Sequence, residues 1–259
     1  AIRMSMRLSI RAMTLTAMLV AARAAAAQGA AAGQVALGDH DYMARNLTSA
    51  LQHYEAAVAI DSTLVEALWK ASNAAIDLGE FNDAERQQYY ARGEQLARLA
   101  VKANPNSADA HFVLAKALGR VALSKGKRDK VKYAGSVHDE VHEALRLDQT
   151  HAGALHVLGM WNAEIMRLSR IERWAARNLL GGGVLGEANW DNAQAYLERA
   201  VAIEPSRITH RLDLAGVYAD RGETAKAREQ YEMIARLAVT DYNDPEYKKL
   251  AEERLRSLH

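Results

Sequence analysis

The stretch Leu214-Ala215-Gly216-Val217-Tyr218-Ala219-Asp220-Arg221-Gly222, followed at helical spacing by Ala227 and Tyr231, carries the reading of the fold. Pro105 and Pro205 set a 34-residue frame, on which Leu214, Ala215, Tyr218, Gly222, Ala227 and Tyr231 take positions 7, 8, 11, 15, 20 and 24 of a helix–turn–helix repeat. The same punctuation returns upstream. Leu37-Gly38 leads to Ala50, Tyr54 and Ala57, with Ser62 at the proline position, and Leu158-Gly159 leads to Ala193, Leu197, Ala200 and Pro205. A weaker copy reads Leu114-Ala115, Leu118, Val141 and Ala144. Small residues belong where two helices of a hairpin touch. Proline ends the second helix, because it lacks an N–H and clashes with the preceding turn.

The expected fold is all-α: a tetratricopeptide-like α-α superhelix, a right-handed solenoid of about five helical hairpins closed by a C-terminal capping helix. Three Pro, two Phe and no alternating segment leave no room for a sheet among 259 residues. The absence of Cys excludes disulfides, thiolate metal sites and a thiol nucleophile. Hairpins are predicted over residues 35–60, 65–103, 108–147, 152–203 and 208–238. Residues 28–34 form a flexible lead to this 35–259 domain, and Asp244 caps a last helix with Pro245 at its first position.

The departures from the frame are informative. Between positions 8 and 20 the first and fifth hairpins advance 12 residues, from Gly38 to Ala50 and from Ala215 to Ala227. The second advances 21 (Ser72 to Gly93), the third 22 (Ala115 to Val137) and the fourth 34 (Gly159 to Ala193). The middle hairpins are therefore lengthened, and all at the same edge of the stack.

Residues 1–27 read as an export signal: Arg3, Arg7 and Arg11, then an apolar run over Ala12–Ala22, then Ala25-Ala26-Ala27 as a small-residue cleavage site. An uncleaved anchor is the alternative. The expected location is periplasmic or at the periplasmic side of a membrane. Without its four arginines the remaining body carries a formal charge of −3, which lacks the basic surface that nucleic acid demands.

Two groups of residues are candidates for binding. The first helices of successive hairpins present Trp69, Phe112 and His156 at position 5, and Asn73, Lys116 and Met160 at position 9. This row suits an extended peptide, or an amphiphile with an anionic head; alternatively the inserted helices fold over it and it is core. The insertion Met160–Trp190 holds Trp161, Trp174 and Trp190, with Arg170, Arg173 and Arg177 flanking a stripe of Ile171, Trp174 and Ala175. It fits a membrane surface or a partner groove, or else a packed lid whose arginines are solvated or paired with Glu164 and Glu172. His138 and His142 sit four apart without a third ligand, which favours a core-edge pair over a metal. The run Lys125–Lys130 falls in a predicted turn. No nucleophile elbow or convergent acid–base pair stands out, and no cofactor or metal is expected.

The stretch Ala67–His259 resembles the regulator of microtubule dynamics family, on Glu66-Ala67-Leu68-Trp69, Tyr89-Tyr90-Ala91, Ala108-Asp109-Ala110-His111, His156-Val157-Leu158-Gly159-Met160-Trp161 and Arg173-Trp174-Ala175-Ala176-Arg177-Asn178-Leu179-Leu180. The resemblance implies an all-helical binding module without catalytic residues. Its eukaryotic members are associated with microtubules, and one with membrane contacts and lipid. The export-like segment sets this chain apart, so a microtubule partner is not expected. The two functions that follow are a scaffold for a protein or peptide, in an envelope or membrane-protein complex, and a lipid carrier.

Overall fold

The computed structural model describes residue 23, residues 25–123 and residues 125–258. The charged and apolar parts of the export-like segment, residues 1–22, lie outside the described residues. Helix α1 runs through residues 25–43. It is followed by α2 (Leu47–Ile60), α3 (Val65–Glu80), α4 (Arg86–Ala103), α5 (Ala108–Leu123), α6 (Lys127–Leu147), α7 (Ala152–Arg167), α8 (Arg170–Leu179), a 3₁₀ turn (Gly183–Glu187), α9 (Trp190–Ile203), α10 (Ile208–Asp220), α11 (Thr224–Arg236) and α12 (Asp244–Ser257). No strand occurs among the described residues. Consecutive helices pair as antiparallel hairpins, and the first helices α3, α5, α7 and α10 also touch their neighbours, forming the inner layer of the stack.

The hairpin contacts fall where small residues recur. A Cβ on Gly159 of α7 would lie 2.6 Å from Leu197 Cγ and 3.1 Å from the Ala193 carbonyl oxygen of α9, so only glycine lets these helices meet. In the second hairpin Ser72 Oγ donates to the Gly93 carbonyl at 2.8 Å, joining positions 8 and 20 of the frame. The core follows the stack as three packets. One surrounds Leu68 and Ala71, the next Leu118, Val141 and Trp161, and the last Leu197, Ile208 and Ile234.

The lengthening expected of the middle hairpins is present: α4 has 18 residues and α6 has 21, against 13 each in α10 and α11. The fourth hairpin's extra residues form α8 and the 3₁₀ turn. Ala176 and Leu185 bury themselves in the middle packet, beside Val131 near the start of α6. The insertions of the third and fourth hairpins thus gather on one edge.

Three expectations need correction. Residues 28–34 are helical and not a flexible lead, because their alanines favour helix and Ala31 and Val35 are buried. The run Lys125–Lys130 is not all turn, since α6 begins at Lys127. Asp244 does not cap its own helix. Its Oδ2 turns back to accept from the backbone N–H groups of Thr240 (2.8 Å) and Asp241 (2.7 Å), while Pro245 does take a first-turn position.

The glycine contacts give a paired prediction. Gly159→Ala should lower stability by about 1–3 kcal/mol through overpacking. Gly119→Ala in α5, where nothing lies within 4 Å of the new methyl group, should raise it by about 0.5–1 kcal/mol through helix propensity. Urea unfolding of the two variants beside the parent measures both signs.

Candidate functional site

The inner face of the stack is polar. Lys116 Nζ of α5 donates to Asn73 Oδ1 (2.7 Å) and pairs with Asp77 Oδ1 (2.6 Å), both on α3. Asn73 Nδ2 donates to Asp77 Oδ2 at 3.0 Å, and the Tyr42 hydroxyl of α1 donates to the same oxygen at 3.3 Å. One turn along, Arg120 pairs with Glu80 at 2.6 Å. Further round, His156 of α7 meets Asp213 of α10 at 2.8 Å and stacks on His210 with ring centroids 4.7 Å apart. Lys116, Arg120 and His156 are each matched by a carboxylate, so the face carries a lattice of ion pairs.

The predicted row therefore splits. Asn73, Lys116 and His156 take part in the polar contacts just described. Trp69 instead packs between the first two core packets, and Phe112 lies over Gly153 with its ring 4.7 Å from His151. Met160 packs against the last packet. The position-5 aromatics point at the neighbouring hairpin, because large apolar surface is worth more between helices than in a groove. Sequence reasoning missed Asp77, Arg120 and Asp220, which lie one turn beyond positions 9 of their helices and are all ion-paired. Their four-residue spacing from Asn73, Lys116 and Gly216 was the available signal.

The chain itself crosses this face. After α11, residues 237–243 leave helical geometry and run back over the concavity. Arg207 pairs with Asp241 at 2.8 Å, and Asn243 Nδ2 donates to the Asp77 carbonyl at 2.8 Å, a bond spanning 166 residues. Tyr247 in the first turn of α12 is buried, with its ring edge-on to Phe81 at 5.4 Å. Burial, and then the nearby Glu80 carboxylate, hold its hydroxyl pKa well above the ordinary value.

The insertion edge is different. Ser169 opens α8 with a reciprocal cap: its Oγ accepts from the Glu172 N–H, and the Glu172 carboxylate accepts from the Ser169 N–H at 3.1 Å. Gly181, with φ +78°, ends the helix in the left-handed region, and the Gly182 N–H reaches back to the Ala176 carbonyl at 3.0 Å. Of the glycine run only Gly182 is buried, packed beside Val131, while Gly181 and Gly183 are exposed. On α8 itself Ile171 is 80% exposed, Trp174 58% and Leu179 67%. Arg170 and Arg177 are exposed with them, and the Arg177 guanidinium lies against Gly186. Arg173 is drawn back, donating to the Met166 carbonyl at 3.1 Å. Trp161, expected among the binding residues, is only 7% exposed and donates its indole N–H to the Ala134 carbonyl at 2.8 Å, which makes it a core pin between α7 and α6. The His138 and His142 rings pack 4.2 Å apart at its side, and no group of three metal-binding side chains occurs among the described residues.

His210 gives the concave face a pH signature. Burial, then the neighbouring His156 and Arg207, push its pKa from 6.5 down to about 2. The unfolded imidazole binds a proton near pH 6.5 that the folded one refuses. Its contribution is thus complete above pH 6.5 and drains away as pH falls toward 2. Thermal melts from pH 7 to pH 4 should fall less steeply for His210→Gln than for the parent, the parent's extra slope reaching about 1.4 kcal/mol per pH unit at most.

Comparison with known proteins fits this architecture. Residues 35–259 match the family described as Regulator of microtubule dynamics protein 1-3. Regulator of microtubule dynamics protein 3 of Bos taurus is 24% identical over 189 residues, which is 72% of this chain and 40% of the relative. Regulator of microtubule dynamics protein 1 of Caenorhabditis elegans is 23% identical over 213 residues, 82% of this chain and 93% of the relative. The chain thus spans about two fifths of the length of the mammalian protein 3 relatives it matches. Among solved structures, a thermophilic tetratricopeptide-repeat protein of Thermus thermophilus aligns with a TM-score of 0.59 at 21% identity, over 86% of this chain and all of that one. A tetratricopeptide-type solenoid, the chain belongs to the regulator of microtubule dynamics protein 1–3 family.

Proposed function

We propose that the protein is a non-catalytic, exported helical-repeat scaffold that docks a protein partner on the exposed face of α8, as a subunit of an envelope-associated assembly. The observation that carries this reading is the exposed apolar pair Ile171 and Trp174, set beside Arg170 and Arg177 on a helix whose other side is buried through Ala176, with Leu179 exposed at its end. Tryptophan and arginine around exposed aliphatic groups are the composition of interface hot spots. The solenoid supplies a rigid mount, and the reciprocal cap at Ser169 fixes where α8 starts. The charge and hydropathy pattern of residues 3–22 supports export, which separates the protein from tubulin. No helix among the described residues is long and apolar enough to cross a membrane.

The carrier reading asks for a closed apolar cavity. Of the hollows on the inserted edge, one of about 340 Å³ is lined by Arg98, Lys125, Asp129 and Lys132 together with Leu118 and Tyr133, and one of about 390 Å³ by Arg128, Asp129 and Lys132 together with Val131 and Leu180. Charged walls of this kind favour a protein surface over an acyl chain.

A photo-crosslinking residue at position 174, with one at position 232 on α11 as control, tests the proposal in the native host. A single protein adduct from position 174 is expected, and an Ile171→Glu, Trp174→Ala variant should lose that partner on purification while keeping its helical signal. A chain that runs alone at its own mass after crosslinking sinks the scaffold reading. Stoichiometric lipid in native mass spectra would replace it with the carrier.

A further inference from the structure

The concave face is laced and also covered, and the cover comes from the chain's own end. Residues 237–243 and the first turn of α12 make three different kinds of contact with it. A carboxylate, Asp241, meets the Arg207 guanidinium at 2.8 Å. A carboxamide, Asn243, donates to the Asp77 carbonyl at 2.8 Å. An aromatic ring, Tyr247, stands edge-on to Phe81 and is buried against the Glu80 and Arg120 pair. These groups come at i, i+2 and i+6 within seven residues, and their partners belong to α3, its C-terminal flank, α5 and the start of α10.

The segment meets the face as a ligand would. Asn243 and Asp244 are buried although they are polar and lie at a loop–helix junction, and Asp244 holds the loop in shape, accepting from Thr240 and Asp241. Lys116 and Asp77 also lie close enough to Asp241 to influence its carboxylate, whose pKa burial raises against the pull of Arg207. The inner face therefore reads one acidic group, one amide and one ring across three hairpins.

We propose that the concave face is a peptide-binding groove occupied in cis by residues 237–247. In trans it takes a short acidic segment that repeats their chemistry: a carboxylate for Arg207, a carboxamide for the Asp77 carbonyl and an aromatic ring for Phe81. This site is separate from α8 and stands or falls independently of the docking role given to that helix. Tethering sets the affinity an incoming segment must beat. A short connection presents its own end at an effective concentration on the order of mM, so the parent chain discriminates against weak segments and yields to one that binds well below that value.

A fluorescent peptide copying residues 237–248 tests the proposal by anisotropy on two full-length chains, the parent and an Asn243→Ala, Tyr247→Ala variant whose own segment is loosened. The peptide should bind the variant at least about tenfold more tightly than the parent, since the competing tether is gone. A peptide carrying Asp241→Asn and Tyr247→Ala should lose that gain. Hydrogen exchange should also quicken in residues 73–81 of the variant and slow again when peptide is added. Equal affinity for both chains, or no binding to the folded variant up to about 1 mM, overturns the proposal. If circular dichroism shows the double variant unfolded, Asn243→Ala alone, which gives up one hydrogen bond, makes the same comparison, and equal affinity overturns the proposal there too.

Discussion

Everything in this molecule depends on how closely paired helices approach at their small residues. Gly159 touches Leu197 and the Ala193 backbone, and Ser72 hydrogen-bonds to the Gly93 carbonyl across the second hairpin. Contacts this short set the angle of each hairpin, and the angle repeated from unit to unit makes the curve. The curve brings α3, α5, α7 and α10 side by side on the inside. Without it the ion pair Lys116–Asp77 and the hydrogen bond His156–Asp213 would have no common face to share.

Those ion pairs shape the inner surface more than they stabilise it. Partly exposed pairs contribute little individually, and removing one partner costs more than the pair supplies. Lys116 holds both Asn73 and Asp77, Tyr42 and Asn73 both reach Asp77, and Arg167 bridges Glu164 and Asp220. A matched lattice of this kind fixes side chains in place, so the groove offers a preformed pattern of charge. The α8 edge works in the opposite way, with apolar groups left uncovered on a helix fixed by its cap and its buried Ala176.

Much of the fold was legible because it rests on local chemistry. The 34-residue punctuation gave the outer bounds of the α5–α6 and α7–α9 hairpins, 108–147 and 152–203, and the spacing excess at the middle hairpins located the inserted helix. The binding residues were harder. The exposure of Trp174, Arg170 and Arg177 was legible because an amphipathic stripe is a property of one helix. Trp161 misled because burial depends on α6, which contributes the Ala134 carbonyl from 27 residues away. Trp69 and Phe112 misled for a similar reason: position 5 points along the stack, and only the neighbouring hairpin shows that. The return of residues 237–243 across the concavity left no mark at all, since Asn243 and Asp77 are brought together by the summed curvature of the hairpins between them. Residues 28–34 were misjudged because glycine was weighed above the surrounding alanine.

The bond from Asn243 to the second hairpin has a consequence for how the molecule comes apart. A solenoid held only by nearest-neighbour contacts frays from its ends, each unit melting nearly on its own. Here the terminal helix is fastened to the opposite part of the stack, so it cannot peel away without opening the second hairpin as well. Closing so long a loop slows folding, because its entropy is lost before the contact forms. In return, two distant parts of a repeat array are thermodynamically coupled, and displacing the terminal segment loosens the second hairpin with it.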